Sequence, residues 1–209
     1  MIYLDNNATT KVHPKVFEAM EPFLKDEFGN PSTGYDLGKN SNEAVTQARN
    51  QVAQLINSKA EEIIFTSCGT ESDNTAIFSA LKNNSDKRHI VTTSVEHSAI
   101  ILFAQSMMPD IEITELPVNN DGLIELNDLR DAIREDTALV TIMWANNETG
   151  ICQDIYEAAK ITHAKNSLFH TDAVNAVGKI SIDVSKGPID FLSISGHKFH
   201  APKGVGALF

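Results

Sequence analysis

Asp190-Phe191-Leu192-Ser193-Ile194-Ser195-Gly196-His197-Lys198-Phe199-His200-Ala201-Pro202-Lys203-Gly204-Val205-Gly206-Ala207-Leu208-Phe209 holds two apolar runs close together. Asp190 to Ile194 and Val205 to Phe209 both read as buried strands. The chain between them is too short for the helical crossover that a parallel pair requires, so the final strand is expected to run antiparallel to its neighbours. The same link sets Lys198 between two histidines and beside Gly196, at the end of a buried strand. A lysine there loses hydration, which lowers its pKa and frees the amine as a nucleophile towards carbonyls. A surface lysine opening a loop is the ordinary alternative, and the rest of the chain must decide.

Working outward, the preceding sequence alternates strands with helices. Strands are expected at Glu62 to Thr66, His89 to Thr93, Ile111 to Leu116, Leu139 to Trp144 and Leu168 to His170. Helices are expected around Ile77, Phe78 and Leu81, and at Ile100 to Met107, Leu126 to Ile133 and Ile155 to Ala164. Two helices precede them. Val16, Phe17, Met20 and Phe23 mark one from His13 to Leu24, and Val45, Ala48, Val52 and Leu55 mark a longer one from Leu37 to Ile56 with a polar outer face. Phe28-Gly29-Asn30-Pro31-Ser32-Thr33-Gly34 is the loop between them. This alternation predicts an α/β three-layer sandwich, with a mostly parallel seven-stranded sheet and one antiparallel strand.

The chain has 209 residues, 42% of them hydrophobic, and a formal charge of -11. That is enough to bury one core, and the acidic balance argues against nucleic acid or an anionic membrane as partner. The first residues carry neither a basic start nor a long apolar run, so a cytoplasmic protein is the expectation. Cys68 and Cys152 form no disulfide framework and no metal-binding pair by spacing; both are expected as small buried thiols. The apolar strand at Phe209 predicts a shortened piece of a longer protein.

In open parallel sheets, ligands bind beyond the carboxyl ends of the strands. Five such ends carry chemistry. Ser67-Cys68-Gly69-Thr70-Glu71-Ser72-Asp73 opens a helix whose free amides suit a phosphate; its plainer reading is a capping box with Thr70 as cap and Asp73 near the third position. Val95-Glu96-His97-Ser98 supplies an imidazole, and Ala145-Asn146-Asn147-Glu148-Thr149-Gly150 supplies amides, or only a turn. Thr171-Asp172-Ala173-Val174-Asn175 supplies a carboxylate that also suits a helix cap. Ser195-Gly196-His197-Lys198 supplies the lysine. A ligand with a phosphate, a basic ring nitrogen and an aldehyde uses the whole set, and pyridoxal phosphate answers that description. Reading His170, Asp172, His197 and His200 as metal ligands of a hydrolase leaves Lys198 and the phosphate-type loop without a role.

These residues resemble the pyridoxal-phosphate-dependent cysteine desulfurases of the nitrogen-fixation and iron–sulfur-assembly type. The matching motifs are Tyr3-Leu4-Asp5-Asn6-Asn7-Ala8-Thr9-Thr10, Gly29-Asn30-Pro31-Ser32, Thr66-Ser67-Cys68-Gly69-Thr70-Glu71-Ser72, Glu96-His97, Asn146-Asn147-Glu148-Thr149-Gly150, His170-Thr171-Asp172-Ala173 and Ser195-Gly196-His197-Lys198. The ending Pro202-Lys203-Gly204-Val205-Gly206-Ala207-Leu208 resembles the same branch rather than the sulfur-mobilisation branch.

The resemblance implies the large domain of a fold-type I enzyme over residues 13–209. Residues 1–12 would join a small domain in the complete enzyme, and the C-terminal small domain is absent. It implies Lys198 as the Schiff-base lysine, Asp172 as the partner of the pyridine nitrogen and His97 as the imidazole on the ring face and a catalytic residue. Gly69, Thr70, Ser195 and His197 would hold the phosphate, and Asn147 would lie by cofactor and substrate. Asn175 stands where the family usually has a glutamine bonded to the phenolic oxygen; normal cofactor binding is still expected. The implied substrate is L-cysteine, giving alanine and an enzyme persulfide for an iron–sulfur scaffold or other acceptor protein, in a homodimer when complete. The family's sulfur-accepting cysteine and its substrate-carboxylate arginine have no counterpart in these residues, so no competent turnover is expected from them alone. The alternatives are a selenocysteine lyase or cysteine-sulfinate desulfinase of the same fold, or a non-catalytic scaffold fragment.

Overall fold

The structure is a computed structural model that describes residues 2–209. It opens with α1 (Pro14–Lys25) and α2 (Asp36–Ile56). Pro14 starts α1, where a missing N–H costs nothing, and His13 caps it by accepting from the Lys15 N–H at 3.2 Å. The stripe Val16, Phe17, Met20 and Phe23 reports the helical period but not burial. No residue of α1 is buried, and Phe17 is 54% exposed, because the helix lies outside the layered core, tied to it by the His13 N–H bond to His200 O. In α2 the inward arc runs through Ser41, Ala53 and Ile56, while Val45 and Leu55 are exposed. Arg49 fixes that rotation: its guanidinium donates to Ile63 O and lies 4.9 Å from the centre of the Phe65 ring.

Seven strands follow: β1 (Ile64–Thr66), β2 (His89–Thr93), β3 (Glu112–Leu116), β4 (Thr137–Thr141), β5 (Leu168–Asp172), β6 (Phe191–Ser195) and β7 (Gly206–Leu208). They form one sheet in the order β1-β7-β6-β5-β4-β2-β3. β7 is antiparallel to both β6 and β1, and the other pairs are parallel, as the short link after β6 requires. β4 begins earlier and ends earlier than Leu139 to Trp144. Beyond Thr141 the pairing is one-sided, with Ile142 and Trp144 still donating to His170 O and Asp172 O on β5. The apolar run therefore continues past the regular strand as a buried rail beside β5.

The helices between the strands are α3 (Gly69–Asn83), α4 (Ser98–Gln105), α5 (Leu126–Ala132) and α6 (Ile155–His163). Successive strand residues point to opposite faces, so a buried parallel sheet needs two apolar covers. Ile90 and Leu139 pack with Ile77 and Ala80 of α3 and Ile100 and Ala104 of α4. Val91, Val140, Phe169 and Leu192 pack on the other side with α2, α5 and α6. The three-layer α/β sandwich is thus observed. In α3, Ala76 and Ala80 take inward positions with Ile77, whereas Phe78 is exposed.

Candidate active site

The carboxyl ends of β1, β2, β4, β5 and β6 open on one edge, and there the structure encloses a cavity of about 250 Å³. Gly69, Thr70, His97, Asn147, Asp172, Asn175, Ser195, His197 and Lys198, all nine residues chosen from the sequence, line it. Ala8, Cys68, Asp73, Met143 and Val174 complete the lining.

The phosphate-type end is built by α3. The helix starts at Gly69, with Cys68 as a cap residue that makes no side-chain capping bond. Glu71 reaches back to the Ser67 N–H and hydroxyl, both at 2.6 Å, and those bonds hold its carboxyl below the usual range. The capping box of Thr70 and Asp73 is therefore not formed: the helix begins two residues earlier than that reading needs, and Asp73 turns into the interior, 1% exposed. A side chain at Gly69 would put its Cβ 2.7 Å from Val174 Cγ2 and 3.4 Å from Ser195 Cβ, so only glycine lets the loops after β1, β5 and β6 close together. Ser72 anchors the turn to β7, its hydroxyl bonding Ala207 O at 3.0 Å and Thr66 Oγ1 at 2.8 Å.

Lys198 ends the short 3-10 turn Gly196–Lys198 directly after β6, and its Nζ donates to Asn7 O. Burial lowers its pKa, opposed by Asp172, Asp5 and Glu148. Asp172, at the end of β5, is 6% exposed and accepts from the Val174 N–H at 2.9 Å. Burial raises its pKa, while that N–H, His97 and Lys198 pull it down. His97 caps α4, its Nδ1 accepting from the Ala99 N–H at 3.1 Å, which leaves the proton of a neutral ring on Nε2. Asn146 organises its turn through the Glu148 and Thr149 N–H groups, leaving Asn147 to the cavity.

Residues 7–13 strap this edge. Thr10 donates from N–H and hydroxyl to His197 O, both at 2.8 Å, and Thr9 Oγ1 meets His197 Nδ1 at 3.0 Å. Burial, Lys198 and Lys203 lower the His197 pKa. Lys179 is not among the residues expected from the sequence, yet its Nζ bridges Asn7 Oδ1 at 3.0 Å and Asn175 Oδ1 at 3.2 Å. Glu96 stands in the sequence only as the neighbour of His97. In the fold its Oε1 accepts from the Thr93 hydroxyl and the Met143 N–H, each at 2.8 Å, so it clasps the ends of β2 and β4. A local sequence signal exists for neither residue, since both act across elements.

The four metal-ligand candidates are not brought together. His170 is fully buried with both ring nitrogens on hydroxyls, and the exposed His200 gives Nδ1 to Lys11 O; neither lines the cavity. The cysteines are less buried than expected. Cys68 is half-buried at the cavity wall and Cys152 is exposed beyond it, each lying where a loop leaves the sheet. The donor set suits pyridoxal phosphate: free first-turn amides and a glycine cradle for a phosphate, a buried carboxylate for a ring nitrogen, and a desolvated amine for an aldehyde.

The family model for class-V aminotransferases matches residues 2–209. The chain belongs to the class-V aminotransferase family. It is 50% identical over 210 aligned residues to a curated protein named cysteine desulfurase from Trichormus azollae, covering 100% of this chain and 52% of that protein. A solved structure described as a NifS-like protein superposes with a TM-score of 0.95 at 39% identity, covering 100% of this chain and 58% of that one. Another, described as SspA in complex with cysteine, gives 0.96 at 36% identity, covering 100% and 61%. The chain thus spans about half the length of the curated relatives it matches. Among the described residues no helix is long and apolar enough to cross a membrane.

Proposed function

We propose that this chain is the pyridoxal-phosphate-binding portion of a cysteine desulfurase. The observation that carries the reading is one cavity holding both Lys198, its amine less basic than usual, and buried Asp172 beside the uncapped start of α3. The curated relatives' name, and the solved relative SspA described in complex with cysteine, support L-cysteine as substrate. Iron–sulfur assembly, a sulfur-acceptor partner, a homodimer and a cytoplasmic location belong to the same proposal. So does the division into residues 1–12, joining a small domain, and a large domain of 13–209.

Gly69, Thr70, Ser195 and His197 would hold the phosphate, with the α3 dipole favouring its charge. Asp172 would hold a proton on the ring nitrogen, His97 would lie against the ring face, and Asn147 and Asn175 would meet the remaining polar edge. When bound, pyridoxal phosphate supplies a carbonyl for imine formation and an electron sink for charge at the substrate α-carbon. Lys198 would supply the amine for that carbonyl and a base for the proton at the substrate α-carbon. Burial lowers its pKa, which favours the free amine, while Asp172, Asp5 and Glu148 oppose that shift. Neither Cys68, at the phosphate end, nor Cys152, outside the cavity, is suited to take the substrate's sulfur, so these residues alone should bind cofactor without completing transfer.

The test is a visible spectrum of the chain with added pyridoxal phosphate. A Schiff-base band that borohydride removes and that Lys198→Ala abolishes is the expected result. A colourless wild type, or a band that survives in Lys198→Ala, refutes the reading. Sulfide release from cysteine at a normal enzymatic rate would refute the statement about transfer.

A further inference from the structure

Asp73 is the one buried carboxyl of the cavity wall that the proposed function leaves without a task. It is 1% exposed, lines the cavity with Asp172, and has an Oδ1 with no hydrogen-bond partner among the described residues. The basic group beside it is His170, with Nε2 3.6 Å from that oxygen. This is not an ion pair. The imidazole is fully buried, its Nδ1 engaged by Thr141 Oγ1 at 2.7 Å and its Nε2 by Ser193 Oγ at 2.9 Å. Burial lowers its pKa to about 3, so it stays neutral.

Asp172 stands differently. Burial raises its pKa too, but it accepts from the Val174 N–H and faces His97 and Lys198, all of which favour its charge. Around Asp73 the charges run the other way: burial first, then Asp172, with smaller contributions from Glu96 and Cys68, push its carboxyl well above the usual range against the Ser193 hydroxyl. Two carboxylates in one desolvated pocket resist joint ionisation, and the proton goes to the one with fewer donors and no cation.

We propose that Asp73 is the resident neutral acid of this pocket and a positioning residue, keeping a proton so that Asp172 remains the single carboxylate available to the ring nitrogen of bound pyridoxal phosphate. The second half rests on the cofactor reading above; the location of the proton does not.

The deciding measurement is carbon-13 NMR of the cofactor-free chain at neutral pH, with aspartate labelled at the side-chain carboxyl so that Glu96 is silent. One aspartate should resonate as a protonated acid, vanish in Asp73→Asn and persist in Asp172→Asn. A signal that survives in Asp73→Asn, or is lost in Asp172→Asn, overturns the assignment; the second comparison stands even if Asp73→Asn does not fold. A purely structural Asp73 would not alter the pH profile. With Glu96→Gln in both proteins, stability should fall as pH rises above the ordinary aspartate range when Asp73 is present, because the folded chain then holds a proton the unfolded chain has lost. Asp73→Asn should flatten that fall, with any remainder due to buried Asp172, and an unchanged slope overturns the proposal. With pyridoxal phosphate added to wild type, the Asp172 resonance should remain that of a carboxylate; a protonated Asp172 overturns the positioning half. Wild type that forms no Schiff base refutes the cofactor reading alone.

Discussion

Gly69→Ala isolates how closely three strand ends must approach to form the phosphate-type end of the cavity. The new methyl would lie 2.7 Å from Val174 Cγ2, closer than carbon atoms pack, and 3.4 Å from Ser195 Cβ, an ordinary contact. Val174 must therefore move, and it lies between Asp172 and Asn175 on the same wall. Overpacking of this kind costs about 1–3 kcal/mol, against a gain of about 0.4–1 kcal/mol from restricting the unfolded chain. The net expectation is a loss of roughly 1 kcal/mol in urea unfolding, with a larger effect on cofactor affinity because the displaced residue and the first helical amides share the wall. Pyridoxal phosphate titrated against the visible band should bind about tenfold more weakly, which corresponds to 1.4 kcal/mol. Val174→Ala vacates the colliding methyl, so the double variant should recover most of both losses. Unchanged affinity in Gly69→Ala, or a double variant as weak as the single one, would refute the cradle argument.

Glu96→Gln should flatten part of the pH dependence of stability. Burial raises the folded-state pKa from 4.5 to about 8, so the folded chain holds a proton that the unfolded chain releases, and stability falls as pH rises across that window. At 1.36 kcal/mol per pKa unit, the fall from pH 4.5 to 7 is ~3 kcal/mol, and urea midpoints of wild type and variant should converge near pH 4.5 and part above it. Parallel curves would sink this account. Ser72→Ala removes the hydroxyl that joins α3 to Ala207 O and Thr66 Oγ1, and should lower unfolding free energy by about 1–2 kcal/mol. An unchanged urea midpoint would show that the anchor carries no stability. Asn175→Gln should leave cofactor affinity near the wild-type value; a Schiff-base band that appears only in the variant would show that the shorter amide is inadequate.

Much of the fold was legible because burial in a parallel sheet writes itself locally. The run His89 to Thr93 is buried throughout, and its four β-branched residues, Ile90, Val91, Thr92 and Thr93, mark it as a strand, while the short link after Ile194 fixes the antiparallel direction of β7. The apolar stripe of α1 was legible as a helix but not as an exposed one, since periodicity records amphipathicity and not what lies opposite. The rotation of α2 depends on Arg49 meeting Ile63 and Phe65, contacts that the stripe does not encode.

The site divides along the same line. By itself the sequence determined which residue types follow each strand and hence the chemistry available: a lysine, a carboxylate, an imidazole, amides and an uncrowded helix start. Their convergence follows from sheet order, because ends far apart in the chain become neighbours when β1, β7, β6, β5, β4 and β2 lie side by side. Only the tertiary structure decided that Asp73 turns inward beside Asp172, that Glu96 clasps β2 to β4, and that Lys179 bridges Asn7 to Asn175. Those roles depend on what a side chain meets across the fold, and desolvation and charge coupling are properties of that meeting rather than of any one residue.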